Sequence, residues 1–240
     1  MALKHLVSPV TRRMALQLSG ATLAGLSPLG LAPLSAQSRK QEAPTDRLVE
    51  QKAREMAELP LNPDGTAKEF SESDLTPVEE IGVIYRNTDR KPPEVEFDPA
   101  KHKIRIRGNV MKYHGALGLS DLNKLPPYTQ ITRLQCGAAK PSGIIKWSGV
   151  RFADVCRLLG TGPMCQYVMF IAADGYVTTE DMSVVTHPQT ILAWEMNGGP
   201  IPPLHGAPFR LVIPFRWAGR HIKAIEEIRF TATSFGYNNS

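Results

Sequence analysis

Residues 133–160 read RLQCGAAKPSGIIKWSGVRFADVCRLLG, and several local structures are legible in that one stretch. Its opening belongs to TQITRLQC, which alternates polar and apolar residues and predicts a strand that delivers Cys136 at its end. Gly137, Ala138 and Ala139 follow, small side chains that leave space for something bulky beside the sulfur, and Pro141 fixes the turn. RFADVCRLLG then places apolar residues at helical spacing, with Cys156 on the apolar face and Gly160 as the stop signal.

Working outward, KIRIRGNV alternates apolar and basic residues from Lys103 and predicts a half-buried strand ended by Gly108. Val83 to Tyr85 predict a short strand entering a polar loop that Pro92 and Pro93 close. Ser120 is expected to cap a short helix over SDLNKLP, and YVMFIAADGY reads as a buried strand reaching a turn. From Gln189 to Trp217 glycine and proline are frequent, which predicts strands joined by tight turns, and HIKAIEEIRFTAT closes with another strand. Strands and short helices in this order, without regular βαβ alternation, imply an α+β fold of mixed sheets with short surrounding helices.

The chain has 240 residues, enough for one substantial core. The expected organisation is a leader over 1–36, a polar extension over 37–75, and the main domain over 76–240. RLVEQKAREMAELP in the extension predicts one amphipathic helix stopped by Pro60. The net charge is +5, but Lys4, Arg12 and Arg13 lie in the first 36 residues with no acid among them. The remainder is only mildly basic, which argues against nucleic acid as a partner. TRRMAL, at 11–16, followed by a moderately apolar run and small residues at Ser35 and Ala36, resembles a twin-arginine export signal. That resemblance implies a periplasmic protein, folded before export and commonly carrying a cofactor; an uncleaved membrane anchor is the alternative.

The three cysteines, Cys136, Cys156 and Cys165, form no CxxC pair, so zinc-ribbon, iron–sulfur and thioredoxin-like sites lack support. GxGxxG after a strand, the Walker A loop, HExxH and GxSxG are all missing. Cys136 on its own reads either as a buried structural thiol or as a soft ligand for a metal that already carries sulfur.

RLQCGAAKPSGIIKWSGVRFADVCRLLG resembles the molybdopterin-binding domain of the sulfite oxidase family, which follows a Leu-Gln strand with a cysteine, then Trp-x-Gly-Val and a helix. LTPVEEIGVIYRNT and ILAWEMNGGPIPPLHGAPFRLVIPFRWAGRHIKAIEEIRFTA resemble further segments of that family. The resemblance implies a Mo-molybdopterin cofactor with Cys136 as the protein's metal ligand. Carried over by position, Tyr85, Arg86 and Asn87 contact the cofactor, Arg86 also faces substrate, and Asp174, His205 and Arg210 bind the pterin. His221, Ile222 and Lys223 fall in the segment that holds the cofactor's phosphate, and Tyr237 matches a substrate-pocket tyrosine. Read singly, each has a plainer role: Arg210 and Lys223 as surface charges, Asp174 as a turn residue, His205 as a loop histidine, Tyr237 as part of a frayed tail.

Lys140 and Pro141 stand where sulfite oxidases carry arginines after the cysteine, and the loop to Trp147 is short. That shortening, with HPQTILA and GAPFRLVIP, resembles the periplasmic methionine sulfoxide reductase catalytic subunit, whereas Met196-Asn197-Gly198 and His205-Gly206 resemble the sulfite oxidase branch. The implied activity is oxygen-atom transfer on a small sulfur-containing substrate. No haem attachment motif or cytochrome b5 precedes the domain, so a separate electron-transfer protein, such as a cytochrome or a membrane haem subunit, is expected. The alternative from another class is a non-catalytic exported binding protein that keeps the fold; stoichiometric molybdenum with a reducible signal separates the two.

Overall fold

The computed structural model describes residues 58–83, 85, 87–137 and 142–233. The twin-arginine stretch, residues 47–57 of the expected helix, Arg86, residues 138–141 and Tyr237 lie outside them. Two sheets organise the domain. The first is built from β1 (Lys103–Gly108), β2 (Gly115–Gly118), β5 (Tyr167–Ala172), β6 (Val177–Asp181) and β10 (Ile225–Thr231), in the order β2-β1-β10-β5-β6. β1 runs parallel to β10 and the other pairings are antiparallel. The second sheet takes β3 (Pro127–Gln135), β4 (Ser142–Arg151), β7 (Ile191–Met196) and β8 (Gly199–Pro200) in that order, with β9 (Arg210–Val212) also paired to β7. Among the described residues three short α-helices accompany them: α1 (Leu119–Leu122), α2 (Phe152–Leu159) and α3 (Met182–Val185). The class is α+β.

Sequence periodicity explains most of these elements. In β1, Ile104 and Ile106 are buried while Lys103, Arg105 and Arg107 face solvent, the alternation of a one-sided strand. In α2, Phe152, Val155, Cys156 and Leu159 share the buried face, and Gly160 ends the helix in the left-handed conformation at φ 64°. β7 reads ILAWEM because it is covered on both sides: Leu192 joins one hydrophobic core while Ile191, Ala193 and Met196 join the other. The first core lies among both sheets and α2, with Phe152, Phe170 and Phe230 fully buried; each such side chain contributes roughly 1.5–3 kcal/mol. The second core centres on Trp147, Ile145 and Val212.

Gly149 shows why the Trp-x-Gly-Val motif carries a glycine. The pairing of β4 with β7 shifts register between Ser148 and Gly149, and a Cβ at 149 would stand 2.1 Å from the Leu192 carbonyl oxygen. Only a residue without a side chain lets the two backbones approach so closely there.

Two local expectations are corrected. Val83 and Tyr85 lie in no strand; the apolar pattern reflects burial of Ile81 and Tyr85 rather than ladder pairing, and Tyr85 is tied down instead by its hydroxyl, which donates to the Pro203 carbonyl at 3.0 Å. Ser120 is inside α1 rather than capping it. The cap position is Gly118, whose N–H donates to the Asp121 carboxylate at 3.2 Å, so the acid three residues on secures that end. Among the described residues no helix is long and apolar enough to cross a membrane.

Candidate functional site

Four separated pieces of chain meet around one cavity. Cys136 comes from the end of β3, Ala172, Asp174 and Tyr176 from the β5–β6 turn, and Arg210 from the start of β9. Ala218, Gly219, His221, Ile222 and Lys223 come from the segment leading into β10. The β3–β4 ladder runs unbroken to Gln135 opposite Ser142, which fixes where Cys136 emerges. The buried Gln135 side chain donates to the Cys136 carbonyl at 3.0 Å. A Cβ added at Gly137 would meet nothing within 4 Å, so there is open space next to this cysteine.

The three thiols differ. Cys156 and Cys165 are buried in the first core, and burial pushes the Cys156 thiol up to about 12 and raises Cys165 as well. Both are held protonated as core sulfurs, whereas Cys136 is half-buried at the cavity. Among the described residues no group of three or more His, Cys, Asp or Glu side chains is placed to hold a metal.

Positive charge collects in the same cavity. Arg210 is 4% exposed, donates from Nη1 to the His205 carbonyl at 2.7 Å, and lays its guanidinium 4.9 Å from the Trp147 ring centroid. Its Nε has no hydrogen-bond partner, and among the described residues it makes no ion pair. Burial lowers its pKa to about 10. Lys223 holds its Nζ 3.5 Å from the Tyr85 ring centroid; burial, then the Arg210 charge, lower it to about 7 against an opposing pull from Asp174. Burial is also what pushes the Tyr85 phenol up.

The histidines are neutral for the same reason. His221 directs Nε2 at the carbonyls of Ile213 (2.7 Å) and Arg216 (3.2 Å), so Nε2 carries the proton and donates, leaving Nδ1 a buried acceptor without a partner. Burial, and secondarily Arg210, take its pKa to about 3, and burial with Arg210 and Lys223 takes His205 to about 4. Gly206 makes the packing possible: it sits at φ 109°, and a Cβ there would lie 2.7 Å from the Lys223 Cγ. Asp174 accepts from the Tyr176 N–H at 3.0 Å and is the one carboxylate among the described residues lining the cavity.

Of the residues expected from sequence, Cys136, Asp174, Arg210, His221, Ile222 and Lys223 line this cavity together. Tyr85 and His205 lie behind it, in contact with Lys223 and Arg210 respectively. Asn87 is exposed in the turn after Tyr85 and is not among the described residues that line it. Ala172, Tyr176, Ala218 and Gly219 were not anticipated. The Asp-Gly turn before Tyr176 and the Ala-Gly step before His221 marked loops, but nothing in the sequence brings those loops together.

A thiol at a strand end, sharing one cavity with a buried arginine whose Nε has no partner among the described residues, suits an α+β domain that binds an anionic, sulfur-compatible group. A family model described as the oxidoreductase molybdopterin binding domain matches residues 90–237, and the chain belongs to that family. The chain is 32% identical over 171 residues to an Azospira oryzae protein bearing the provisional name protein-methionine-sulfoxide reductase subunit YedZ1, covering 71% of this chain and 63% of that one. It is 30% identical over 181 residues to the protein-methionine-sulfoxide reductase catalytic subunit MsrP of Xanthomonas campestris, covering 65% and 55%. With human mitochondrial sulfite oxidase the identity is 27% over 160 residues, covering 55% and 29%. The matches thus span less than two thirds of each relative's length. The fold is similar to the crystal structure of the sulfane dehydrogenase SoxCD from Paracoccus pantotrophus, with a TM-score of 0.54 at 15% identity, covering 86% of this chain and 57% of that one.

The cofactor of this molybdopterin-dependent oxidoreductase domain is Mo-molybdopterin, and the cavity residues fit it. A phosphate would suit the buried Arg210, which makes no ion pair among the described residues, and the pterin edge offers donors and acceptors for the Arg210 Nε–H and His221 Nδ1, both without a partner among those residues.

Proposed function

We propose that this chain is a periplasmic oxidoreductase that moves an oxygen atom to or from a small sulfur-containing substrate. The observation that carries the reading is the meeting of the Cys136 thiol with Arg210, His221 and Lys223 around one cavity. A soft sulfur donor suits a metal already bound to dithiolene sulfurs, and the cations that share its cavity suit the cofactor's phosphate end. When bound, the cofactor supplies two-electron oxygen-atom exchange at molybdenum.

The chain's own residues hold and orient. Cys136 would provide the protein's sulfur ligand to the metal. Arg210, fixed by the His205 carbonyl and the Trp147 face, would offer its Nε–H to the pterin, while His221 would offer an acceptor at Nδ1. Lys223 is lowered to about 7 by burial and by Arg210, so a bound anion raises its pKa and holds it charged. Ile222 supplies an apolar wall and Asp174 a carboxylate, while Tyr85 and His205 brace Lys223 and Arg210 from behind; the family resemblance also gives exposed Asn87 a cofactor contact. The family resemblance gives Arg86 the role of orienting an anionic or oxo-bearing substrate and matches Tyr237 to a substrate-pocket tyrosine; both lie outside the described residues.

The similarity to proteins named as methionine sulfoxide reductase subunits and as sulfite oxidase supports a sulfur–oxygen substrate. Residues 1–36 act as a twin-arginine signal peptide, residues 37–75 as an extension, and residues 76–240 as the catalytic domain. Electrons pass to or from a separate protein, a cytochrome or membrane haem subunit.

The test is metal and pterin analysis of protein exported with its leader intact, then assays against sulfite, sulfoxides and N-oxides with artificial donors and acceptors. Stoichiometric molybdenum and turnover of a sulfur compound are expected. Cys136→Ser is expected to bring turnover to background while the circular dichroism stays that of the folded chain. Full activity in that variant, or a wild type without molybdenum, overturns the reading.

A further inference from the structure

The β5–β6 hairpin does more than bring Asp174 and Tyr176 to the cavity wall. Between β9 and β10 the chain makes a tight turn at Ala218–Arg220 and then runs as His221, Ile222 and Lys223. Two consecutive residues of that turn are fastened to the hairpin. The Tyr176 hydroxyl donates to the Gly219 carbonyl at 2.9 Å. The Arg220 guanidinium reaches β6 twice, from Nε to the Glu180 carboxylate at 2.5 Å and from Nη2 to the Thr179 carbonyl at 2.6 Å.

Glu180 is an expensive residue to keep there. Its side chain is 3% exposed while that of Arg220 is 45% exposed, so the carboxylate loses its water and Arg220 is what offsets the loss. Burial raises the Glu180 pKa, and the hydrogen bond and charge of Arg220 oppose that rise. A neutral side chain of the same shape would fold there at lower cost, so the charge itself needs a reason. β6 is a firm base for a tether, since it pairs with β5 along its whole length and β5 pairs with the central strand β10.

The geometry points to Glu180 and Tyr176 as positioning residues, a two-point clamp that holds the 218–223 segment in the shape that receives the cofactor's anionic end. This rests on the proposal that His221, Ile222 and Lys223 hold that end. Neither residue is assigned a contact with the reacting atoms. They act through Gly219 and Arg220, immediately before the binding segment.

Tyr176→Phe, Glu180→Gln and their combination, made in the full-length exported protein, test it. Tyr176→Phe removes only a hydroxyl from a half-buried ring, and Glu180→Gln keeps shape while removing charge. Two readouts are taken: molybdenum and pterin retained during prolonged dialysis, and amide hydrogen exchange of the cofactor-free chain. Each single change is expected to speed cofactor loss roughly ten-fold, with a larger loss in the double variant. Exchange is expected to rise across 218–223 while β5 and β10 keep their protection. Glu180→Asp, which keeps the charge, is expected to recover part of the retention. Wild-type retention and exchange in both single variants overturn the clamp, and so does exchange that rises throughout the sheet, which marks a residue of the fold. A wild type without molybdenum sinks the cofactor reading instead, and the exchange pattern then decides the clamp by itself.

Discussion

The outer face of the first sheet and the cavity wall use the same side chains to opposite ends. On the outer face Arg105, Arg107 and Arg229 surround Glu227, with contacts of 3.3, 3.4 and 2.6 Å. Burial works to raise that carboxyl's pKa, but hydrogen bonds from Arg229 and Arg105 outweigh it and hold it below the usual carboxylate range. The charges there are mutually answered. In the cavity Arg210 is more deeply buried, among the described residues makes no ion pair, and keeps an unsatisfied N–H. An arginine that gives up water without a counter-ion is costly to the empty protein, and a bound anion recovers that cost. Charge satisfied within the fold marks structure; charge left for something else marks a site.

The sharpest way to break this contrast is Arg210→Met. It is expected to lower cofactor affinity by roughly a hundred-fold, as removal of a charge-assisted anion contact does. The stability of the cofactor-free chain is expected to move by no more than about 1 kcal/mol, because a buried unpaired charge leaves with the side chain. Molybdenum content and urea unfolding of the same preparations check both halves. A large loss of stability without loss of cofactor would make Arg210 a structural residue like those around Glu227.

Acid is expected to act next most strongly. In the cofactor-free protein His221 and His205 titrate near 3 and 4, below the ordinary 6.5, so the unfolded chain binds more protons across that window. Stability from these histidines is present above pH 6.5 and is lost as pH falls toward 3. Urea midpoints followed over that range should fall, and bound cofactor should not abolish the trend, since His221 is buried by the fold itself. Lys223 sharpens the alkaline side. Its folded value of about 7 lies below the ordinary 10.5, so stability of the cofactor-free chain should climb as pH rises from 7 toward 10.5, and Lys223→Met should flatten that climb.

The smallest effect belongs to the outer face. Glu227→Gln is expected to cost about 1 kcal/mol at low salt and less at high salt, because its arginine partners are 41–62% exposed and screened. Cofactor content should not change.

Local patterns in the sequence carried much of this fold. The alternation ending at Cys136, the apolar face of α2 with its Gly160 stop, and the closing strand over Ile225–Thr231 all depend on neighbours within a few residues. What failed depended on partners elsewhere. Tyr85 looks like part of a strand because it is buried, yet its hydroxyl is used by Pro203 far along the chain. Ser120 has the chemistry of a cap, but Asp121 reaches back to Gly118 first. For the site, resemblance supplied Arg210 and Lys223 by position, while their depth, the orphaned atoms and the approach of Tyr176 to Gly219 exist only in three dimensions.

One connection governs how the chain comes to be made at all. β10, the last of the described strands in chain order, is the middle strand of its sheet, joined on one side to β1 and on the other to β5. Until it emerges from the ribosome, β2-β1 and β6-β5 are two unattached ribbons, each with an open edge, and ribbons that narrow are marginal in water. A stop codon shortly before Ile225 would therefore leave two sticky fragments in search of a seam, and its product should be found in inclusion bodies or cleared by proteases.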